Sequence, residues 1–230
     1  MTKPQEVVMN VLIVYAHPEP QSFNGAMKDL AVQTLTEAGH QVTVSDLYAM
    51  NFDPVGGRAD FTRPSNPAYF DYILEQREAH RAGTFAPDIL AEQHKLSQAE
   101  LVIFQFPVWW RSMPAMLKGW VDRVISVDFA YGGGKYYETG GLQGRRAMLA
   151  VTASGELTGE EANQWLYHTL DGVLAFTGLA VLPTYVAAPR SASPEERARM
   201  LEGYRERLLA LDTTPTLTPQ APWELEPTGA

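Results

Sequence analysis

Two kinds of apolar run alternate along this chain. Val7 to Tyr15 is a β-branched apolar run interrupted only by Asn10, which predicts a central strand buried on both faces. From Asn24 to Ala38 the apolar positions Ala26, Met27, Leu30, Ala31 and Leu35, with Thr34, share one face of a helix, and Gly39 stops it. Gln41 to Ser45 alternates as a second strand. Asp53 to Asp88 is rich in Pro, Gly, Asn and Arg and reads as a surface excursion with one helix around Ala68 to Gly83. A helix over Ile89 to Ser97 and a third strand over Glu100 to Phe106 follow. Pro114 to Ser126 is a helix that opens on proline, as helix starts tolerate. Val127 to Gln143 is irregular, rich in glycine and tyrosine. Arg146 to Thr152 is the fourth strand. A helix over Glu160 to Thr177 stops at Gly178, and Ala180 to Val186 is the fifth strand. Pro194 to Leu211 is the last helix, with Ser193 as its cap. From Thr213 the prolines at 215, 219, 222 and 227 predict an extended or disordered tail. The pattern therefore divides into one domain over 1–212 and a tail over 213–230.

Strands alternating with helices predict a parallel sheet covered on both faces, an α/β architecture. Five strands at this spacing predict a flavodoxin-like three-layer sandwich with a parallel five-stranded sheet in the order 2-1-3-4-5. Such sheets bind ligands outside the carboxyl ends of strands one, three and four. The loops there are Ala16 to Phe23, Pro107 to Met113 and Thr152 to Thr158.

Composition narrows the chemistry. The chain has 230 residues, a net charge of −9 and no cysteine. The acid excess argues against a nucleic-acid partner. The lack of cysteine removes disulfides, thiolate nucleophiles and sulfur-ligated metals, and it fits a cytoplasmic setting. The N-terminus has neither the basic start nor the apolar stretch of a signal peptide. His40, His80, His94 and His168 show no ligand spacing, so no metal site is expected. Neither a G-x-G-x-x-G fingerprint nor a phosphate-binding G-x-x-x-x-G-K-[ST] loop is present.

The three loops carry what chemistry the chain offers. Ser22 or Asn24 can cap the first helix, whose free N–H groups attract an anion, and His17 can donate to a phosphate oxygen. The loop at Pro107, Val108, Trp109, Trp110 and Arg111 sets two tryptophans side by side, and tryptophan is costly to expose. Thr152, Ala153, Ser154 and Gly155 are small enough for backbone N–H groups to approach a ligand. A phosphate cradle, an aromatic wall and a small-residue floor at one sheet end fit a flavin. The glycine-rich segment around Tyr131 reads as a cover over a flat substrate.

At these residues the chain resembles the flavoprotein NAD(P)H:quinone reductases of the DT-diaphorase type. The likeness includes Ser45-Asp46-Leu47-Tyr48-Ala49-Met50-Asn51-Phe52, Pro87-Asp88-Ile89, Ala91-Glu92-Gln93, Val102 to Pro107 and Leu117-Lys118-Gly119-Trp120, and runs from about Val11 to about Leu208. The resemblance implies a homodimer with one FAD per subunit and sites at the interface. It implies ping-pong transfer of a hydride from NADH or NADPH to the flavin and of two electrons onward to a quinone-like acceptor. By position, His17, Ser22, Phe23 and Asn24 are similar to the phosphate and ribityl contacts. Pro107, Val108, Trp109, Trp110 and Arg111 are similar to the loop along the ring, with Trp110 in the aromatic position. Thr152, Ala153, Ser154 and Gly155 resemble the pyrimidine-edge loop, Arg197 an adenine-side contact, and Tyr131 the residue that closes over the quinone from the partner subunit. Catalysis is accordingly expected at Trp110 and Tyr131.

Departures from that pattern set the rivals. The family's tyrosine and histidine after the fourth strand are missing from Glu156 to Asn163. Thr152-Ala153-Ser154-Gly155 replaces Thr-Thr-Gly-Gly, Arg111 replaces an aromatic, and Gly133 replaces a second lid tyrosine. One rival is an FMN-dependent azo- or nitro-reductase. Another is a regulatory flavoprotein subunit on a membrane-protein partner, a transporter.

Overall fold

A computed structural model describes residues 8–217. Strand β1 (Asn10–Tyr15) leads to helix α1 (Phe23–Glu37), then β2 (Gln41–Asp46). After the excursion come α2 (Tyr72–Ala82), α3 (Pro87–Gln98), β3 (Leu101–Pro107) and α4 (Ala115–Val124). Then follow β4 (Arg146–Thr152), α5 (Gly159–Trp165), a short α6 (Tyr167–Thr169), β5 (Ala180–Val181), β6 (Tyr185–Ala187) and α7 (Pro194–Leu209).

The sheet is parallel in the order β2-β1-β3-β4-β5, as the sequence predicts, with β6 also on β4. Alternate residues of each strand serve opposite faces. Leu12 and Val14 pack with Val102, Phe104, Leu149 and Trp120 on one side. Val11, Ile13 and Tyr15 pack with Met27, Ala31, Leu35, Tyr204 and Leu208 on the other. Burial of both faces explains why β1 and β3 are nearly all apolar.

Two predicted elements are broken. The long helix after β4 divides into α5, α6 and a π-helical turn over Leu170–Ala175, around Thr169, Gly172 and Val173, all weak helix formers. The fifth strand divides at Pro183, which has no N–H for the ladder. There β4 advances from Ala147 to Ala150 while its neighbour advances from Val181 to Tyr185, one residue more, so a bulge separates β5 from β6. β1 is described from Asn10; Val7 lies outside the described residues.

The excursion has its own small core of Phe61, Phe85 and Ile89, with Phe70 and Tyr72 against it. It is tied to α4 by Arg123, which is 3% exposed and donates to Asp60 at 2.9 Å, Asp88 at 2.8 Å and the Asp53 carbonyl at 2.7 Å. A Cβ on Gly119 would lie 2.1 Å from the Pro54 carbonyl oxygen, so only glycine permits this approach. Of the expected tail, residues up to 217 are described; the Leu217 N–H donates to the Val181 carbonyl at 2.7 Å and lies along the sheet edge. Residues 218–230 lie outside the described residues. Among the described residues no helix is long and apolar enough to cross a membrane.

Candidate active site

The loop after β1 ends in a capped helix. Ser22 Oγ accepts from the Gly25 N–H at 3.0 Å, and no acidic residue sits in the first turn of α1. The positive helix end is thus not neutralised from within, and the N–H groups of Phe23 and Asn24 have no acceptor among the described residues. His17 Nδ1 stands 3.0 Å from both the N–H and the carbonyl oxygen of Glu19, accepting from the first in one tautomer and donating to the second in the other.

The loop after β3 is a tight hairpin. Trp109 and Ser112 exchange two backbone hydrogen bonds of 3.0 Å each. Trp110 and Arg111 occupy the tip with φ of 54° and 56°. Two left-handed central residues are the pattern of a type I′ turn, which favours Asn-Gly. A tryptophan and an arginine there carry backbone strain of about 1–2 kcal/mol each. The turn pushes Trp110 wholly into the open, at 100% exposure, while Met113 anchors the loop in the core.

The loop after β4 joins the other two. The Thr152 carbonyl accepts from the Val108 N–H at 2.8 Å, and Thr152 Oγ1 accepts from Asn24 Nδ2 at 3.1 Å. Asn24, only 1% exposed, also accepts Gln105 Nε2 at its carbonyl at 2.5 Å. Gln105 is a joint that the sequence reading missed; a polar residue within a buried apolar strand is its signal. Ala153 donates to the Ala187 carbonyl at 2.8 Å, whereas the Ser154 and Gly155 N–H groups have no acceptor among the described residues. A Cβ on Gly155 would meet nothing within 4 Å. All three loops therefore meet at one sheet end, as predicted.

Two predicted residues lie outside the three loops. Arg197, near the start of α7, donates from Nε to the Pro189 carbonyl at 3.1 Å, at the same sheet end. Tyr131 packs on Phe176, with ring centres 5.9 Å apart. It lines a cavity of about 600 Å³ with Tyr72, Ile73 and Val173, and none of the three loops lines it. Burial and the Asp122 charge push the Tyr131 phenol pKa up, so it stays neutral and can donate at physiological pH. Sequence reasoning also missed Trp165, at the end of α5, over which the Arg111 guanidinium lies at 4.5 Å.

An unopposed helix start, unpaired N–H groups at Ser154 and Gly155, open space before Gly155 and an outward tryptophan suit a planar ligand with an anionic tail. The residues fit a flavin: α1 and His17 toward phosphate, Val108 to Trp110 along the ring, Thr152 to Gly155 at its polar edge.

The family model of the flavodoxin-like fold matches residues 9–211. Ribosyldihydronicotinamide dehydrogenase [quinone] of Homo sapiens is 46% identical over 207 residues, 86% of this chain and 90% of that protein. NAD(P)H dehydrogenase [quinone] 1 of Rattus norvegicus is 42% identical over 210 residues, 87% of this chain and 77% of that protein. Among solved structures, a Klebsiella pneumoniae protein provisionally named a quinone reductase superposes with a TM-score of 0.87 at 40% identity, covering 90% of this chain and 86% of its own.

Proposed function

The chain belongs to the flavodoxin-like fold family and, within it, to the NAD(P)H:quinone oxidoreductases of the DT-diaphorase type, and on that premise we propose a ping-pong cycle on FAD in a homodimer. The observation that carries the reading is the junction of three loops through Asn24, Thr152 and Val108 beside an outward Trp110. A flavin held there would supply two-electron chemistry between NADH or NADPH and a quinone.

The chain's own residues orient and enclose. The Phe23 and Asn24 N–H groups, with His17 beside them, hold phosphate oxygens without a lysine cluster, which suits an acidic protein. Val108, Trp109 and Trp110 form the wall, and the Ser154 and Gly155 N–H groups hold carbonyl oxygens at the ring's edge. FAD is favoured over FMN because α1 and α7 pack side by side, so Arg197 stands at a second helix start next to the phosphate cradle. The catalytic pair of this reading is Trp110 with the lid Tyr131.

The dimer has support on the surface. Ile73, 46% exposed, lines the cavity that holds Tyr131, and Tyr69 and Leu74 near it in the chain are exposed at 69% and 50%. In the proposed dimer the partner's Tyr131 reaches this subunit's flavin site, as the resemblance implies. The reading includes a cytoplasmic location, in keeping with the absence of cysteine.

The test is to release and identify the bound cofactor, then measure initial rates with donor and quinone both varied. One FAD per chain with parallel double-reciprocal lines is expected. FMN as the released cofactor would favour the azo- or nitro-reductase reading, and converging lines would remove the ping-pong cycle.

A further inference from the structure

Arg111 and Trp165 meet beside the junction of the three loops. Arg111 stands at the tip of the turn after β3, and Trp165 ends α5, the helix that follows the Thr152–Thr158 loop. The guanidinium carbon lies 4.5 Å over the indole centre, a stacking geometry that fixes the plane of the charge and leaves its edge donors free.

Among the described residues no acid forms an ion pair with that charge; the ion pairs there all use other cations. The acids of α5 are turned elsewhere: Glu161 accepts from the Thr158 N–H and hydroxyl at 2.9 Å each, and Glu160 lines a separate cavity of about 480 Å³. A protein of net charge −9 repels anions in general. One fixed, unpaired cation beside the proposed ring site runs against that background, and it is held there at the cost of left-handed backbone at Arg111.

We propose that Arg111, positioned by Trp165, selects quinone acceptors that carry an anionic substituent, a sulfonate or carboxylate, beside the ring. The inference rests on the quinone-reductase reading and names its substrate class. Arg111 is the specificity-determining residue, and its planar donor fork matches the paired oxygens of such a group. Trp165 is a positioning residue that acts only through Arg111.

The test compares naphthoquinone with naphthoquinone sulfonate as acceptors at fixed donor. The readout is the ratio of their kcat/KM values, which cancels any loss common to both. Arg111→Met is expected to lower the sulfonate-to-neutral ratio about tenfold, the scale of one charge-assisted contact. Arg111→Lys restores part of it, and Trp165→Leu lowers it about threefold. Added salt erodes the wild-type ratio and leaves that of Arg111→Met unchanged. A ratio unmoved by Arg111→Met, or insensitive to salt in the wild type, overturns the proposal. Calorimetric titration with naphthoquinone sulfonate separates the two claims. If the wild type reduces neither quinone, the function fails, yet a weaker Kd in Arg111→Met still supports the charge-selecting role. Equal Kd values overturn it.

Discussion

Asn51, Trp110, Arg111, Asp128 and Tyr137 all take left-handed backbone, but only Trp110 and Arg111 do so in succession, at an exposed turn. Trp110 and Arg111 take left-handed backbone at a turn that would be satisfied by Asn-Gly. Their retention makes sense if the indole face serves a ligand and the turn exists to present it. Trp110→Gly should therefore stabilise the protein by about 1 kcal/mol, or leave it unchanged, while kcat/KM for quinone falls at least about tenfold. Thermal melts and steady-state rates on the same preparation check this. A loss of stability with unchanged turnover would make the indole a structural plug. The sequence named both tryptophans, the small residues after β4 and the helix-capping serine, because each residue type has few roles in a βα loop. It did not reveal Gln105 as a joint or Trp165 as the support for Arg111. Those roles depend on which strand ends become neighbours.

Among the elements, α4 links the site to the excursion. Its N-terminus follows the Trp110 turn, and Arg123 near its other end gathers Asp60, Asp88 and the Asp53 carbonyl in a buried cluster. Tyr72 adds a donated hydrogen bond of 2.5 Å to Asp60. Arg123→Met strands a buried carboxylate, which typically costs about 3–5 kcal/mol. Urea unfolding should show that loss; a change below about 1 kcal/mol would mean the cluster is loosely held. Elements with strong periodicity were legible: α1, β3 and β4 stand within a residue of their predicted spans. The breaks after β4 were not. Pro183 was visible as a residue, yet only the β4 ladder shows that its missing N–H divides a strand. The π turn over Leu170–Ala175 likewise sits in a stretch whose apolar spacing suits an ordinary helix.

At the scale of the whole molecule, the strand order was legible because alternation of strand and helix leaves few right-handed solutions. The proposed homodimer rests on resemblance, since one chain's pattern does not say which face a partner covers. Buried phenols give the fold a pH limit. Burial pushes Tyr15 and Tyr185 from 10.0 to about 12, and raises Tyr72 and Tyr204 further. Each keeps its proton in the fold to higher pH than in the unfolded chain. Their contribution is therefore whole below pH 10.0 and is lost as pH climbs through about 12. Alkaline unfolding followed by circular dichroism should begin above that lower bound and coincide with the last phenols to ionise, these four. Complete phenolate formation by all ten tyrosines without unfolding would contradict the burial.

The central claim is that three loops joined through Thr152 and Asn24 hold a redox-active flavin. Its most direct test is the visible spectrum of the purified protein, recorded as NADH or NADPH and then a quinone are added. The predicted result is a yellow protein with one flavin per chain, bleached by the donor and restored by the quinone. A colourless protein that takes up neither FAD nor FMN, or a bound flavin that no nicotinamide bleaches, would contradict it.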